Sequence, residues 1–162
     1  MKPRPPTMRE KKRYLLARIE PRGLQVDPKE LYYAVLESLT SLYGDSVSSQ
    51  AQPAVISAAG GYAIIRCTRG YEDLLRTALT MVTGVNEVRL VLRSCATSGT
   101  IHSLKTRIAA APSIPAPDPA GLEIGGKCFD AYHYGSEKVD LIEKGFKNQE
   151  LLFLTQTDLE EF

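Results

Sequence analysis

Residues 63–101 read AIIRCTRGYEDLLRTALTMVTGVNEVRLVLRSCATSGTI, and their reading decides the fold. A β-branched run ends at Arg66 and Arg69. Apolar residues then recur at Tyr71, Leu74, Leu75, Ala78, Leu79 and Val82, the spacing of one helix face. Glu72 and Asp73 fall in the first turn, where the helix dipole favours negative charge, and Gly84 closes the helix. A second β-branched run, Val85 to Cys95, follows and carries Arg89 and Arg93. Strand, helix, strand with cations on the strands is half of a small α/β sandwich.

The chain on the N-terminal side supplies the other half. Tyr14–Glu20 (YLLARIE) reads as a strand, closed by the turn at Pro21 and Gly23. Asp27 and Pro28 form a helix start, and Leu31, Val35, Leu39 and Leu42 make one stripe. Gly44 is its C-cap, giving a helix of about 15 residues. Ala54–Ser57 and Tyr62–Thr68 flank the Gly60–Gly61 turn as a hairpin. The order β-α-β-β-α-β predicts an α+β, ferredoxin-like (RRM-like) sandwich: a four-stranded antiparallel sheet with two helices on one face. Ser98 and Thr100 are capping residues for a third helix at 101–109, whose polar face carries His102, Lys105 and Arg107.

Four regions are expected. Residues 1–13 hold six basic residues, one acid and three prolines, a mobile basic arm. Residues 14–109 form the core. Residues 110–126, with four prolines and three glycines, read as a semi-stiff linker. Residues 127–162 form an acidic extension with a helical stretch near 136–144 and an apolar run, LLFLT, at 151–155. The extension is too small to fold alone and is expected to dock on the core or on a partner.

The net charge of +1 conceals an asymmetry: residues 1–107 hold 16 Lys/Arg against 9 Asp/Glu, and residues 108–162 hold 4 against 10. Such a division between halves points to nucleic-acid contact on one side and an acidic tail on the other, with an unevenly charged solvated surface as the plain alternative. No apolar run approaches the roughly 20 residues of a membrane span. No signal sequence is apparent, and three cysteines without CxxC spacing suit reduced thiols in the cytoplasm.

Nothing in the sequence assembles a catalytic constellation. His102 and His133 lie in different segments without metal-ligand spacing, so no bound metal or cofactor is expected. The glycine pairs lack the Lys-Ser/Thr of a phosphate loop. Cys67 and Cys95 sit inside strands, where a buried inert thiol is commoner than a nucleophile. Binding is the better case. In the last strand Arg89, Val91 and Arg93 alternate with Val88, Leu90 and Leu92, and in the hairpin Ile64, Arg66 and Thr68 share a face. With Arg18 they describe a cationic sheet face, partly apolar through Ile64 and Val91. Guanidinium offers two parallel donors to phosphate. The other reading is that these arginines only solubilise an open face. Base stacking on the sheet is disfavoured, because Tyr14 and Tyr62 stand at strand beginnings and no aromatic occupies Ala63–Thr68.

KKRYLLARIE, DPKELYYAVLESLTSLYGD, AIIRCTRGYEDLLRTALTMVTGV and RLVLRSCATSGTI, in that order, resemble the Pop-five/Rpp-fourteen family, the component 2 proteins of archaeal and eukaryotic ribonuclease P. The resemblance covers residues 10–107. It implies a ferredoxin-like, non-catalytic subunit of a ribonucleoprotein whose RNA, with magnesium, removes the 5′ leader of precursor tRNA. It also implies a barrel-shaped protein partner, component 3, and leaves the core open to pairing with a second copy of itself. Under this reading the RNA contacts fall to Lys11, Lys12, Arg13, Arg18, Arg66, Arg69, Arg89, Arg93, Lys105 and Arg107. A small-molecule sensor domain and a pure protein-interaction module are the alternatives from other classes. The acidic extension lies outside the resemblance; it is expected to contact protein, to mask the basic face when RNA is absent, or simply to solubilise.

Overall fold

The computed structural model describes residues 10–21, 23–111, 115–145 and 149–161. Most of the expected basic arm (1–9) and the middle of the expected linker (112–114) lie outside the described residues. Lys12 and Arg13, read as the end of that arm, belong instead to the first strand.

β1 (Lys12–Glu20) is central in a four-stranded antiparallel sheet ordered β2-β3-β1-β6, with β2 (Ala54–Ala59), β3 (Tyr62–Thr68) and β6 (Val91–Ser98). Its alternation is plain: Leu15, Ala17 and Ile19 join the main core with Ala63, Ile65, Cys67 and Leu92. Leu16 enters a second cluster on the opposite face.

α1 (Pro28–Ala51) and α2 (Glu72–Met81) pack together against the inner face through Leu31, Val35, Leu75 and Leu79. The Asp27 carboxylate accepts from Lys29 N–H at 2.8 Å, capping a helix that opens on Pro28. The helix does not stop at Gly44. That residue breaks it at φ 79°, ψ 170°, and a second segment continues to Ala51. Buried Ser48 holds the kink by donating to the Gly44 carbonyl (3.0 Å) while accepting from Thr40 Oγ1 (2.9 Å).

The expected single strand Val85–Cys95 is two structures. β4 (Gly84–Val85) and β5 (Val88–Arg89) form a tight hairpin before β6. Asn86 (φ 49°) and Glu87 (φ 65°) are both left-handed, the turn geometry whose twist matches paired strands.

α3 (Ile101–Ala109) is capped by Thr100, whose hydroxyl accepts from Ser103 N–H. It lies over the outer sheet face and seats buried Leu104 against Leu16 and Ile64, with Tyr14, Tyr62, Ala96, Ile101 and Ile108 around them. The face expected to be open is therefore roofed: Ile64 is 1% exposed and only Val91, at 44%, remains outside.

The C-terminal segment contains no helix at 136–144. Gly135–Glu137 turn, and Lys138–Glu143 is a strand, β9. It belongs to a second antiparallel sheet, β10-β9-β8-β7, with β7 (Leu122–Ile124), β8 (Lys127–Tyr134) and β10 (Leu151–Thr155). β7 thus begins inside the stretch read as linker. Phe129, Ala131, Val139 and Leu141 form this sheet's own cluster, with Leu152, Leu154 and Leu159 against it. A Thr155–Asp158 capping box starts the last turn, α4 (Gln156–Leu159).

Candidate nucleic-acid interface

The ten cations predicted from sequence do not form one platform. Three are committed within the protein. Lys12 Nζ contacts Glu10 (2.9 Å), Gln52 Oε1 (2.6 Å) and Thr68 Oγ1 (3.1 Å). Arg13 falls on the helix side of β1, where its Nε meets Glu72 of α2 at 3.4 Å. Arg18 ion-pairs with Glu20, itself 7% exposed. The others, Lys11, Arg66, Arg69, Arg89, Arg93, Lys105 and Arg107, enter no ion pair among the described residues.

Strand register places them in separate groups. Arg69 N–H donates to the Lys11 carbonyl (2.9 Å), joining these two cations beside Lys12 at one end of β1. Arg18 and Arg93 are register partners near the other end, about 20 Å from Lys12 at the usual rise per residue. Exposed Arg89 extends the second group on its hairpin, two residues before β6. α3 lies between them with exposed Lys105 and Arg107. Arg107 borders a shallow cleft of 340 Å³ with Leu16, Tyr62 and Cys95. Arg66 is half-buried, its Nε inaccessible and without a hydrogen-bond partner. It borders a 440 Å³ cleft at the α1 kink with Asp45, Ser48 and Gln52.

Tyr14 and Tyr62 pack under α3, so the outer face offers no free aromatic platform. Burial pushes the Cys67 thiol up to about 11, with Glu72 adding to the effect, so it stays a neutral core group. Among the described residues no set of three or more His, Cys, Asp or Glu is placed to hold a metal, and no helix is long and apolar enough to cross a membrane.

Sequence reasoning missed a third feature. A cleft of 400 Å³ lies between the two sheets, walled by Arg18, Glu20, Val91 and Arg93 on one side and by Tyr134, Lys138, Asp140 and Phe153 on the other. The only sequence signal was a phenylalanine in the middle of the apolar LLFLT run.

An antiparallel sheet backed by two helices, roofed by a third and rimmed with cations, defines a mixed α+β protein suited to a polyanionic partner. The Rpp14/Pop5 family matches residues 13–109, and the chain belongs to that family. Ribonuclease P protein component 2 of Methanoculleus marisnigri is 49% identical over 161 residues, covering 99% of each chain. Its namesake in Methanosphaerula palustris is 48% identical over the same share. The Pyrococcus horikoshii protein of that name is 32% identical over 112 residues, 68% of this chain and 92% of its own. Among solved structures, a chain of yeast ribonuclease MRP is similar with a TM-score of 0.47 and 12% identity, over 64% of this chain and 92% of that one.

Proposed function

We propose that this chain assists the RNA of ribonuclease P by neutralising its phosphates during 5′-leader removal from precursor tRNA. The family match over residues 13–109 carries the reading. With full-length relatives named ribonuclease P protein component 2, it makes the chain a non-catalytic protein subunit of an RNA-based enzyme. The core is of the ferredoxin-like type; the strand order β2-β3-β1-β6 supports that assignment.

The phosphate contacts fall to the exposed cations without ion pairs: Lys11 with Arg69, Arg89 with Arg93, and Lys105 with Arg107. Lys12, Arg13 and Arg18 act through the fold, since their charges are already partnered. Arg66 is reserved for a contact at the α1 kink. Spaced cations of this kind suit a folded RNA, because neighbouring phosphates from different strands can be bridged at once. Charge neutralisation by the protein lowers the magnesium the RNA needs to fold. The barrel-shaped component 3 is the protein partner this reading requires.

Binding of ribonuclease P RNA should weaken steeply with salt through counterion release. In a titration series, Arg89→Ala/Arg93→Ala should flatten the log–log salt dependence by about 0.7–0.9 per lost contact. RNA binding that is absent, or independent of salt, would overturn the reading.

A further inference from the structure

We propose that the cleft between the two sheets is a composite site for one unpaired nucleotide of an RNA strand, with Phe153 stacking on the base and Arg93 and Lys138 taking its phosphate. The inference rests on the RNA-binding reading above and deepens it.

Strand register builds both walls. On the core, Arg18 pairs with Arg93 and Glu20 with Val91, all on the outer face. On the second sheet, Tyr134, Lys138 and Thr155 stand side by side across β8, β9 and β10, and Asp140 stands beside Phe153. These five side chains occupy the face opposite Phe129, Val139 and Leu141, so the sheet's own core cannot absorb them.

Phe153 is 55% exposed while its neighbours Leu152 and Leu154 pack inward. Alternation holds a large apolar ring out against a cationic wall, the pairing that single-stranded nucleic acids meet in stacking sites. Charge points the same way. Glu20 is occupied by Arg18. Lys127 and Lys144 of the second sheet have carboxylate partners, but Lys138 has no ion pair among the described residues, and neither has Arg93. Two cations without ion pairs thus line the same cleft as the ring.

Size sets the limit. At 400 Å³ the cleft falls in the range of sites for one small ligand, room for a nucleotide but not for a base-paired helix. The outer face of the core sheet offers no free aromatic, since Tyr14 and Tyr62 pack under α3. The second sheet supplies one, and the two methanogen relatives match this chain over its whole length. The Pyrococcus match leaves about a third of this chain unpaired.

Fluorescence anisotropy with a short single-stranded oligoribonucleotide and a duplex of equal length tests the site. Phe153→Ala should weaken single-strand binding about tenfold and leave duplex binding unchanged. The chain has no tryptophan, so Phe153→Trp gives a unique reporter. It should keep single-strand affinity, and its emission should be quenched by the single strand but not by the duplex. Circular dichroism checks that both variants are folded. Wild-type single-strand affinity in Phe153→Ala, or a silent Trp signal, would overturn the site while duplex binding upheld the RNA reading. Failure of wild type to bind either RNA would remove both. Release of a protein subunit by Phe153→Ala, with single-strand affinity intact, would make the cleft a protein seat and refute the proposal.

Discussion

Single residues show how local chemistry holds this fold. Cys67 is buried against the helices, and its thiol stays neutral to about 11, whereas an ordinary thiol titrates near 9. Cys95 and Cys128 are exposed. In native protein at pH 8, a maleimide should therefore label Cys95 and Cys128 and spare Cys67; mass spectrometry reads the count. The sign of the stability effect follows from the raised value. Burial of the neutral thiol contributes fully below pH 9, and the contribution is lost as pH rises from 9 toward 11. Gly44 is a different case. At φ 79° and ψ 170° it occupies backbone space open essentially to glycine alone, and a Cβ there would meet no neighbour. Gly44→Ala should thus destabilise through backbone strain, not collision, by about 1–3 kcal/mol in denaturant unfolding.

Elements that announce themselves by local period were readable from sequence. β3 alternates, α2 repeats its apolar residues at helical spacing, and Asp27–Pro28 marks the start of α1. What escaped depends on contacts between distant residues or on ambiguous spacing. Gly44 looks like a helix end, yet the Ser48 and Thr40 hydroxyls satisfy the kink and allow a second segment. Val139 and Ile142 stand three apart, as on a helix, while Val139 and Leu141 alternate as on a strand. Pairing with β8 and β10 decides between them. α3 was visible as a helix, but its place over Leu16 and Ile64 was not, since Leu104 meets them only after the sheet has formed. Leu104 is fully buried. Leu104→Ala should cost about 2–5 kcal/mol and loosen the roof of the sheet, read by denaturant unfolding and by hydrogen exchange in β1 and β3. The candidate site was only half readable for the same reason. Residue type identified the cations, but the ion pairs of Lys12, Arg13 and Arg18 appear only in the fold.

Across the molecule, the excess of positive charge before residue 108 and of negative charge after it takes on spatial meaning. The acids after residue 107 partly serve their own sheet, through Glu143 and Glu150 on Lys127 and Asp130 on Lys144. The core keeps its exposed cations on separate rims instead of one face. Under the function proposed above, a subunit arranged this way meets RNA by shape and charge and leaves catalysis to the RNA. Reconstitution of the cognate ribonuclease P RNA with its protein subunits, at limiting magnesium, tests this most directly. Omitting this chain should sharply reduce precursor-tRNA cleavage, and added magnesium should restore it in part. Cleavage unchanged by the omission, with the other subunits present, would contradict the account.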